Sequence, residues 1–219
     1  NILEINQASA YFGYSVSTAG DVNNDGYDDI IVGATLYDNG ETDEGRAYIY
    51  HGSPTGIIAT PAKILECNQI SAQFGSCVSD AGDINNDGFD DVIVGAQLYD
   101  NGQLDEGVAF VYYGSPVGIK STPFSLLESN QSVSRFGYAV SKAGDVNNDG
   151  YDDVVVGAYL ADYGQDEEGA AFVYHGGPTG VNTVYAVKME SNQPYCRIGN
   201  SVSNAGDLNN DGYSDLIIG

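Results

Sequence analysis

The sequence predicts an all-β protein of the β-propeller class, made of four-stranded antiparallel blades, about three and a half of them in this chain. Three observations predict it. An internal repeat returns every 62 residues, no stretch shows a sustained helical period with caps, and turn signals cut each repeat into four short apolar segments.

The elements follow in order within a repeat. "FGYSVSTAG" alternates large with small or polar side chains, as a strand does. "DDIIVGA" is a continuous β-branched run, the pattern of a strand buried on both faces. "GRAYIYHG" alternates again, and "KILEC" closes the unit as a short fourth strand. Asn-Gly at 39–40 and 101–102 and Gly-Ser-Pro at 52–54 and 114–116 mark the turns between them. The repeat frames residues 1–219 as one propeller domain or part of one. Residues 1–7 match the closing element, and 1–10 read as the outer strand of a preceding blade, with the strand itself at 2–6. Residues 11–72, 73–134 and 135–196 are whole blades, and 197–219 are the first two strands of another.

The acidic loop between the first two strands carries the chemistry. It reads "DVNNDGYDD" at 21–29, "DINNDGFDD" at 83–91, "DVNNDGYDD" at 145–153 and "DLNNDGYSD" at 207–215. A hard cation such as Ca²⁺ takes six to eight oxygens from a tightly turning backbone. Positions 1, 3, 5 and 9 offer side-chain oxygens: Asp21, Asn23, Asp25 and Asp29, then Asp83, Asn85, Asp87 and Asp91, then Asp145, Asn147, Asp149 and Asp153, and finally Asp207, Asn209, Asp211 and Asp215. Position 7 offers a main-chain carbonyl, from Tyr27, Phe89, Tyr151 and Tyr213. The glycine at position 6 permits the positive φ that the turn needs. Four Ca²⁺ sites are expected. Position 8 (Asp28, Asp90, Asp152, but Ser214) is expected not to be a ligand, because the fourth copy lacks the carboxylate. An EF-hand is excluded, since position 12 is Val32, Val94, Val156 and Ile218 within strands where that loop needs an acid.

A second acidic element lies between the second and third strands, with Asp43/Glu44, Asp105/Glu106 and Glu167/Glu168. It reads as a solvated hairpin in preference to a second ion site or a ligand rim. Cys67, Cys77 and Cys196 occupy unrelated repeat positions with no CxxC spacing, and read as small buried apolar side chains. His51 and His175 share a repeat position with Tyr113, which reads as strand-end packing and not catalysis.

The Phe-Gly pair (Phe12-Gly13, Phe74-Gly75, Phe136-Gly137), the DxNxDGxxD loop and the Gly-Ala after the second strand together resemble FG-GAP repeats, the blades of the integrin α-subunit propeller and its bacterial relatives. The chain departs from that pattern at Ile198, which replaces Phe, and at Ala161 and Tyr163 in the third hairpin. The resemblance implies a calcium-stabilised adhesion or protein-binding module. It leaves open a glycan-binding propeller, suited by the many tyrosines, and a non-catalytic part of a secreted lyase or phospholipase. The chain itself is expected not to be an enzyme.

Composition bounds the partners. With 31 Asp plus Glu against 7 Lys plus Arg and a net charge of −24, nucleic acid and anionic membrane surfaces are poor partners. Four Ca²⁺ would bring the charge to about −16. No apolar run is long enough to span a bilayer. A calcium requirement met only at high concentration points to a secreted or cell-surface setting. The chain shows no leader and no initiator Met, which reads as a processed or excised piece. Its half-integral blade count predicts a ring completed by the rest of a longer propeller, seven-bladed by the resemblance, or by a second copy as a homodimer.

Overall fold

The computed structural model describes residues 2–219. Fourteen strands form three four-stranded antiparallel sheets and one two-stranded sheet. The first blade is β1 (Phe12–Gly20), β2 (Asp29–Ala34), β3 (Arg46–Tyr50) and β4 (Lys63–Leu65), each paired with the next in chain order. The second is β5 (Phe74–Gly82), β6 (Asp91–Ala96), β7 (Val108–Tyr112) and β8 (Ser125–Leu127). The third is β9 (Phe136–Gly144), β10 (Asp153–Ala158), β11 (Ala170–Tyr174) and β12 (Val187–Glu190). β13 (Val202–Gly206) and β14 (Asp215–Ile218) make the partial fourth. These are the blades expected from the repeat.

The core lies between the blades, which explains why β2, β6 and β10 are apolar on both faces. Ile31, Ile49 and Leu65 of the first blade pack against Phe74, Val94 and Phe110 of the second. Ile93, Val111 and Leu127 of the second pack against Phe136, Val156 and Phe172 of the third. Stacking brings main chains close. A Cβ on Gly33 would lie 2.0 Å from the carbonyl oxygen of Gly75, and a Cβ on Gly95 or Gly157 would lie 1.9 Å from that of Gly137 or Gly199. The glycine before each second-strand alanine is therefore the seat for the Phe-Gly turn of the next blade, and any side chain there would wedge the sheets apart.

A glutamine in each of three closing elements reaches the hairpin of the blade that follows. Gln69 donates from Nε2 to the Asp100 carbonyl at 3.0 Å and accepts the Asp100 N–H at 2.6 Å. Gln131 makes the same pair of bonds to Asp162, and Gln7 to Asp38.

Residues 2–6 are not the strand expected of them. A fourth strand needs the free edge of a third strand, and β3, β7 and β11 are already paired with β4, β8 and β12. The segment instead packs Leu3 and Ile5 beside Tyr48, Tyr50 and Phe12. Ile198 keeps the backbone role of the phenylalanine it replaces: its N–H bonds the Glu168 carbonyl at 3.0 Å, as Phe74 and Phe136 bond Glu44 and Glu106 at 2.8 Å. Among the described residues no helix is long and apolar enough to cross a membrane.

Candidate metal centres

All four acidic loops join the first and second strands of a blade, and all four share one hydrogen-bond scaffold. In the first, the carboxylate of Asp21 accepts the N–H of Asp25 at 3.0 Å and of Gly26 at 2.8 Å. Asn23 Oδ1 accepts the same Asp25 N–H at 3.0 Å, and Asp25 Oδ1 accepts that of Tyr27 at 3.1 Å. Asp83, Asn85 and Asp87 repeat the set onto Asp87, Gly88 and Phe89. Asp145, Asn147 and Asp149 do so onto Asp149, Gly150 and Tyr151, and Asp207, Asn209 and Asp211 onto Asp211, Gly212 and Tyr213. The turn needs positive φ at two places. Gly26 has φ 90°, as expected, and Asn24 has φ 54° at position 4, where asparagine tolerates the left-handed region.

Position 9 is built differently from the rest. Asp29, Asp91 and Asp153 are wholly buried at the start of the second strand. Asp91 accepts the N–H of Ile84 at 3.1 Å, across its own loop, and that of Gly114 at 3.0 Å, beyond the third strand. Burial pushes the Asp91 carboxyl up to about 8, against those two bonds, and the charges of Asp87 and Asp83 add to the rise. Asp29 and Asp153 rise for the same leading cause. Asp215, at the partial blade, keeps the bond to Leu208 at 2.8 Å but is half-exposed.

Within each loop, then, positions 1, 3 and 5 are gathered on one turn and position 9 is anchored beneath it. The donors are oxygen only, which suits a hard cation and not zinc or copper. Among the described residues no three His, Cys, Asp or Glu side chains stand around a common metal position, because the loop carboxylates are turned onto their own main-chain N–H groups. Each of those oxygens has a further lone pair to give, so the donor set fits a calcium-type ion. The position 7 carbonyls of Tyr27, Phe89, Tyr151 and Tyr213 are assigned by spacing alone.

Position 8 has a role that the sequence reading missed. Asp90 Oδ2 accepts the N–H of Asp21 at 2.8 Å, and Asp152 Oδ2 accepts that of Asp83 at 3.0 Å, each in the preceding blade's loop. The main chain joins in: Asp90, Asp152 and Ser214 N–H groups bond the carbonyls of Asp21, Asp83 and Asp145 at 3.2, 3.4 and 2.9 Å. The retained main-chain bond explains how Ser214 can stand there. Lys142 Nζ lies 2.8 Å from Asp152 and steadies the junction. Asp28, with no earlier loop to meet in this chain, is exposed. The recurrence of a carboxylate at this non-ligand position, as Asp28, Asp90 and Asp152, was the available signal.

The second acidic element is not the solvated hairpin expected. Glu44, Glu106 and Glu168 are wholly buried, while Asp43, Asp105 and Glu167 are half-buried. Glu106 Oε1 accepts the N–H of Asn101 at 2.6 Å and of Gln103 at 3.3 Å, and Glu168 Oε1 does the same for Tyr163 and Gln165 at 2.8 and 3.2 Å. In these two blades the carboxylate closes the hairpin from inside, which is why it is drawn out of water. Burial first, and nearby Glu66 or Glu128 after it, raises the Glu44 and Glu106 carboxyls.

The repeat position of the two histidines packs blades together. Tyr113 Oη accepts the Val181 N–H at 2.8 Å and its ring stacks on Phe124 at 4.4 Å. No cysteine is disulfide-bonded; Cys67 and Cys77 are half-buried, but Cys196 is exposed where a buried residue was expected. Cys196 stands on the turn that enters the partial blade, where only two strands follow.

An FG-GAP repeat model matches residues 12–50, 79–112 and 136–174, about half of the chain. The chain is 35% identical over 181 residues to integrin alpha-5 of Xenopus laevis, covering 78% of this chain and 16% of that protein. It is 33% identical over 196 residues to integrin alpha-IIb of Mus musculus, covering 86% and 18%, and 38% identical over 169 residues to integrin alpha-PS2 of Drosophila melanogaster, covering 71% and 12%. It thus spans less than a fifth of the length of these relatives. Among solved structures, the exotype rhamnogalacturonan lyase YesX superposes with a TM-score of 0.56 at 15% identity, over 94% of this chain and 38% of that one, a likeness of fold.

Proposed function

Because this chain belongs to the FG-GAP repeat family, we propose that it is a section of an integrin-α-like propeller that binds Ca²⁺ in four loops and works outside the cell as an adhesion or protein-binding module. The observation that carries the reading is the identical oxygen scaffold of the four loops, with a buried carboxylate beneath three of them. Asp21, Asn23, Asp25 and Asp29, with the Tyr27 carbonyl, would hold the first ion, and the corresponding residues the others. Ca²⁺ would supply positive charge beside the carboxylates of positions 1, 5 and 9. The chain's own residues orient the oxygens: Gly26 and Asn24 turn the loop, Val22 and Gly52 fix Asp29, and Asp90 holds the main chain of Asp21 from the next blade.

Alike loops at one end of successive blades stiffen that end, and loops on a rigid scaffold are where binding sites sit. The relatives are named as integrin α-subunits, which supports adhesion over catalysis. Calorimetric titration of the metal-stripped chain with Ca²⁺ tests the first part; heat of binding and a higher melting temperature are expected. No heat, together with a melting temperature indifferent to chelator, refutes it. Retention on surfaces coated with extracellular-matrix extract, lost on chelation, tests the second; retention unaffected by chelator argues against a calcium-held module.

A further inference from the structure

The connection from third to fourth strand is built alike in the three blades, but the second blade departs from it at both ends. It has Tyr113 where its neighbours have His51 and His175, and Phe124 where they have Ala62 and Ala186. The two rings stack, with centroids 4.4 Å and planes 17° apart. Tyr113 is buried and carries the bond to Val181 of the third blade. Phe124 is 54% exposed. Alanine suffices there in the other blades, and a ring left half in water gains little from burial.

Phe124 and Ser125 line a cleft of about 600 Å³ whose other wall is the third blade's β11–β12 connection, with Thr179, Asn182 and Thr183. Ser125 is only 7% exposed, yet its hydroxyl has no hydrogen-bond partner among the described residues. Asn182 Oδ1 accepts the Val184 N–H at 3.0 Å, which leaves the amide hydrogens of Asn182 to give. The third blade also departs from its neighbours at Gly177. In the others a serine stands there and donates to the Gly56 or Gly118 carbonyl, at 2.5 and 2.6 Å. With glycine in its place, the Gly180 carbonyl at the cleft lacks that donor. Among the described residues no acid or base lines the cleft, although the chain carries a net charge of −24.

We propose that this cleft between the second and third blades binds a neutral saccharide, with Phe124 against the apolar face of a sugar ring and Ser125, Thr179, Asn182 and Thr183 bonding its hydroxyls. A sugar carries a face of C–H groups and a girdle of hydroxyls, so it needs an aromatic surface and neutral donors and acceptors in one place. A purely apolar ligand would bury the Ser125 hydroxyl with no partner, which costs free energy. An anion would enter against the field of the whole chain. The cleft uses none of the acidic loop side chains, so it names a ligand beyond the calcium reading and does not rest on it.

The test is saturation-transfer NMR of the unmodified chain, Phe124→Ala and Asn182→Ile, titrated with cellotriose, with β-1,4-galactotriose and with indole as an apolar probe. Both substitutions lie at exposed positions and copy other blades, which have Ala62 and Ala186 at the first and Ile58 at the second, so both variants are expected to fold. Transfer from the unmodified chain to at least one trisaccharide is expected, with the affinity falling roughly tenfold in each variant. No transfer to either trisaccharide overturns the proposal, as does transfer that both variants leave unchanged. Transfer to indole that needs Phe124, with none to the sugars, also overturns it and makes the cleft a site for apolar ligands. Calcium binding by the loops is titrated separately on the same three proteins, so its failure is told apart from failure of the cleft.

Discussion

Replacing Gly95 by Ala tests whether the main-chain contact between blades, and not the apolar side chains alone, sets how they stack. Gly95 lies mid-strand in β6 with an ordinary φ, so alanine there would by itself stabilise by about 0.4–1 kcal/mol, through the unfolded chain. The added Cβ, however, would lie 1.9 Å from the Gly137 carbonyl oxygen, and both atoms belong to backbone. The second and third blades would have to part there by about 1 Å, a gap that forfeits a quarter to a half of each contact's attraction. Overpacking of this kind costs about 1–3 kcal/mol, and a rigid neighbour places it at the upper end. The net loss is about 2 kcal/mol, or roughly 4–8 °C in melting temperature for a chain of this size. Thermal unfolding followed by circular dichroism in saturating Ca²⁺ reads it. Gly75→Ala against Gly13→Ala isolates the contact again: the two share φ near +80°, but only Gly75 has a preceding blade, with Arg46 O 2.4 Å from its built Cβ. A Gly95→Ala protein as stable as its parent would refute the stacking argument.

Three further outcomes are expected. Gln69→Ala removes two bonds that tie the first blade's closing element to the second hairpin, for a loss of about 1–2 kcal/mol, read as faster hydrogen exchange of the Asp100 amide; unchanged protection there would dismiss the clamp. Asp87→Ala is expected to weaken Ca²⁺ binding roughly tenfold or more. Asp90→Ala should chiefly lower stability, by loosening the loop of the blade before it, and equal calcium losses in the two would void the division between ligand and strut. Finally, the metal-stripped chain should become less stable as pH rises. Asp91 is raised in the folded state from 3.8 to about 8, so the folded form holds its proton through that window while the unfolded form has lost it. Glu44 and Glu106 act in the same direction. Urea midpoints at pH 6 and 8 measure it, and a higher midpoint at pH 8 contradicts the burial argument. Saturating Ca²⁺ should flatten or reverse the slope, because ligands must be ionised to hold the metal.

The blades were legible in the sequence because their signals are local and repeated. β-branched runs, turn residues and the 62-residue register place strands such as Asp29–Ala34 and Arg46–Tyr50 without knowledge of their neighbours. The acidic loops were legible for the same reason, since positions 1, 3, 5 and 6 lie on one turn. What escaped depends on a second blade. Glu44, Glu106 and Glu168 look like surface acids until the hairpin folds over them. Residues 2–6 carry a strand's pattern, but a strand also needs an edge, and pairing is not a property of the segment alone. Position 8 looked idle because its partner is the main chain of residue 21, 69 positions away.

That last contact joins metal binding to blade stacking. Asp21 is the first proposed ligand of its loop, and its N–H and carbonyl are both held by Asp90 of the following blade. The same junction couples Asp83 to Asp152 and, through main chain only, Asp145 to Ser214. Below each loop, Asp91 links its own turn to the chain leaving the third strand, where Ser115 in turn bonds the Val22 carbonyl of the blade before. A loop set for an ion therefore presents its neighbour with fixed bonding partners, and a parted pair of blades frees the first ligand's main chain. Whatever binds the stacked form and not the parted one shifts the balance between them by mass action. It follows that a single ion should steady two blades, and that Asp152→Ser, which copies the fourth loop, should weaken cooperation between the second and third loops while leaving all four ligand sets intact. Calcium titrations of that variant that match the parent in both affinity and steepness would show the loops to be independent.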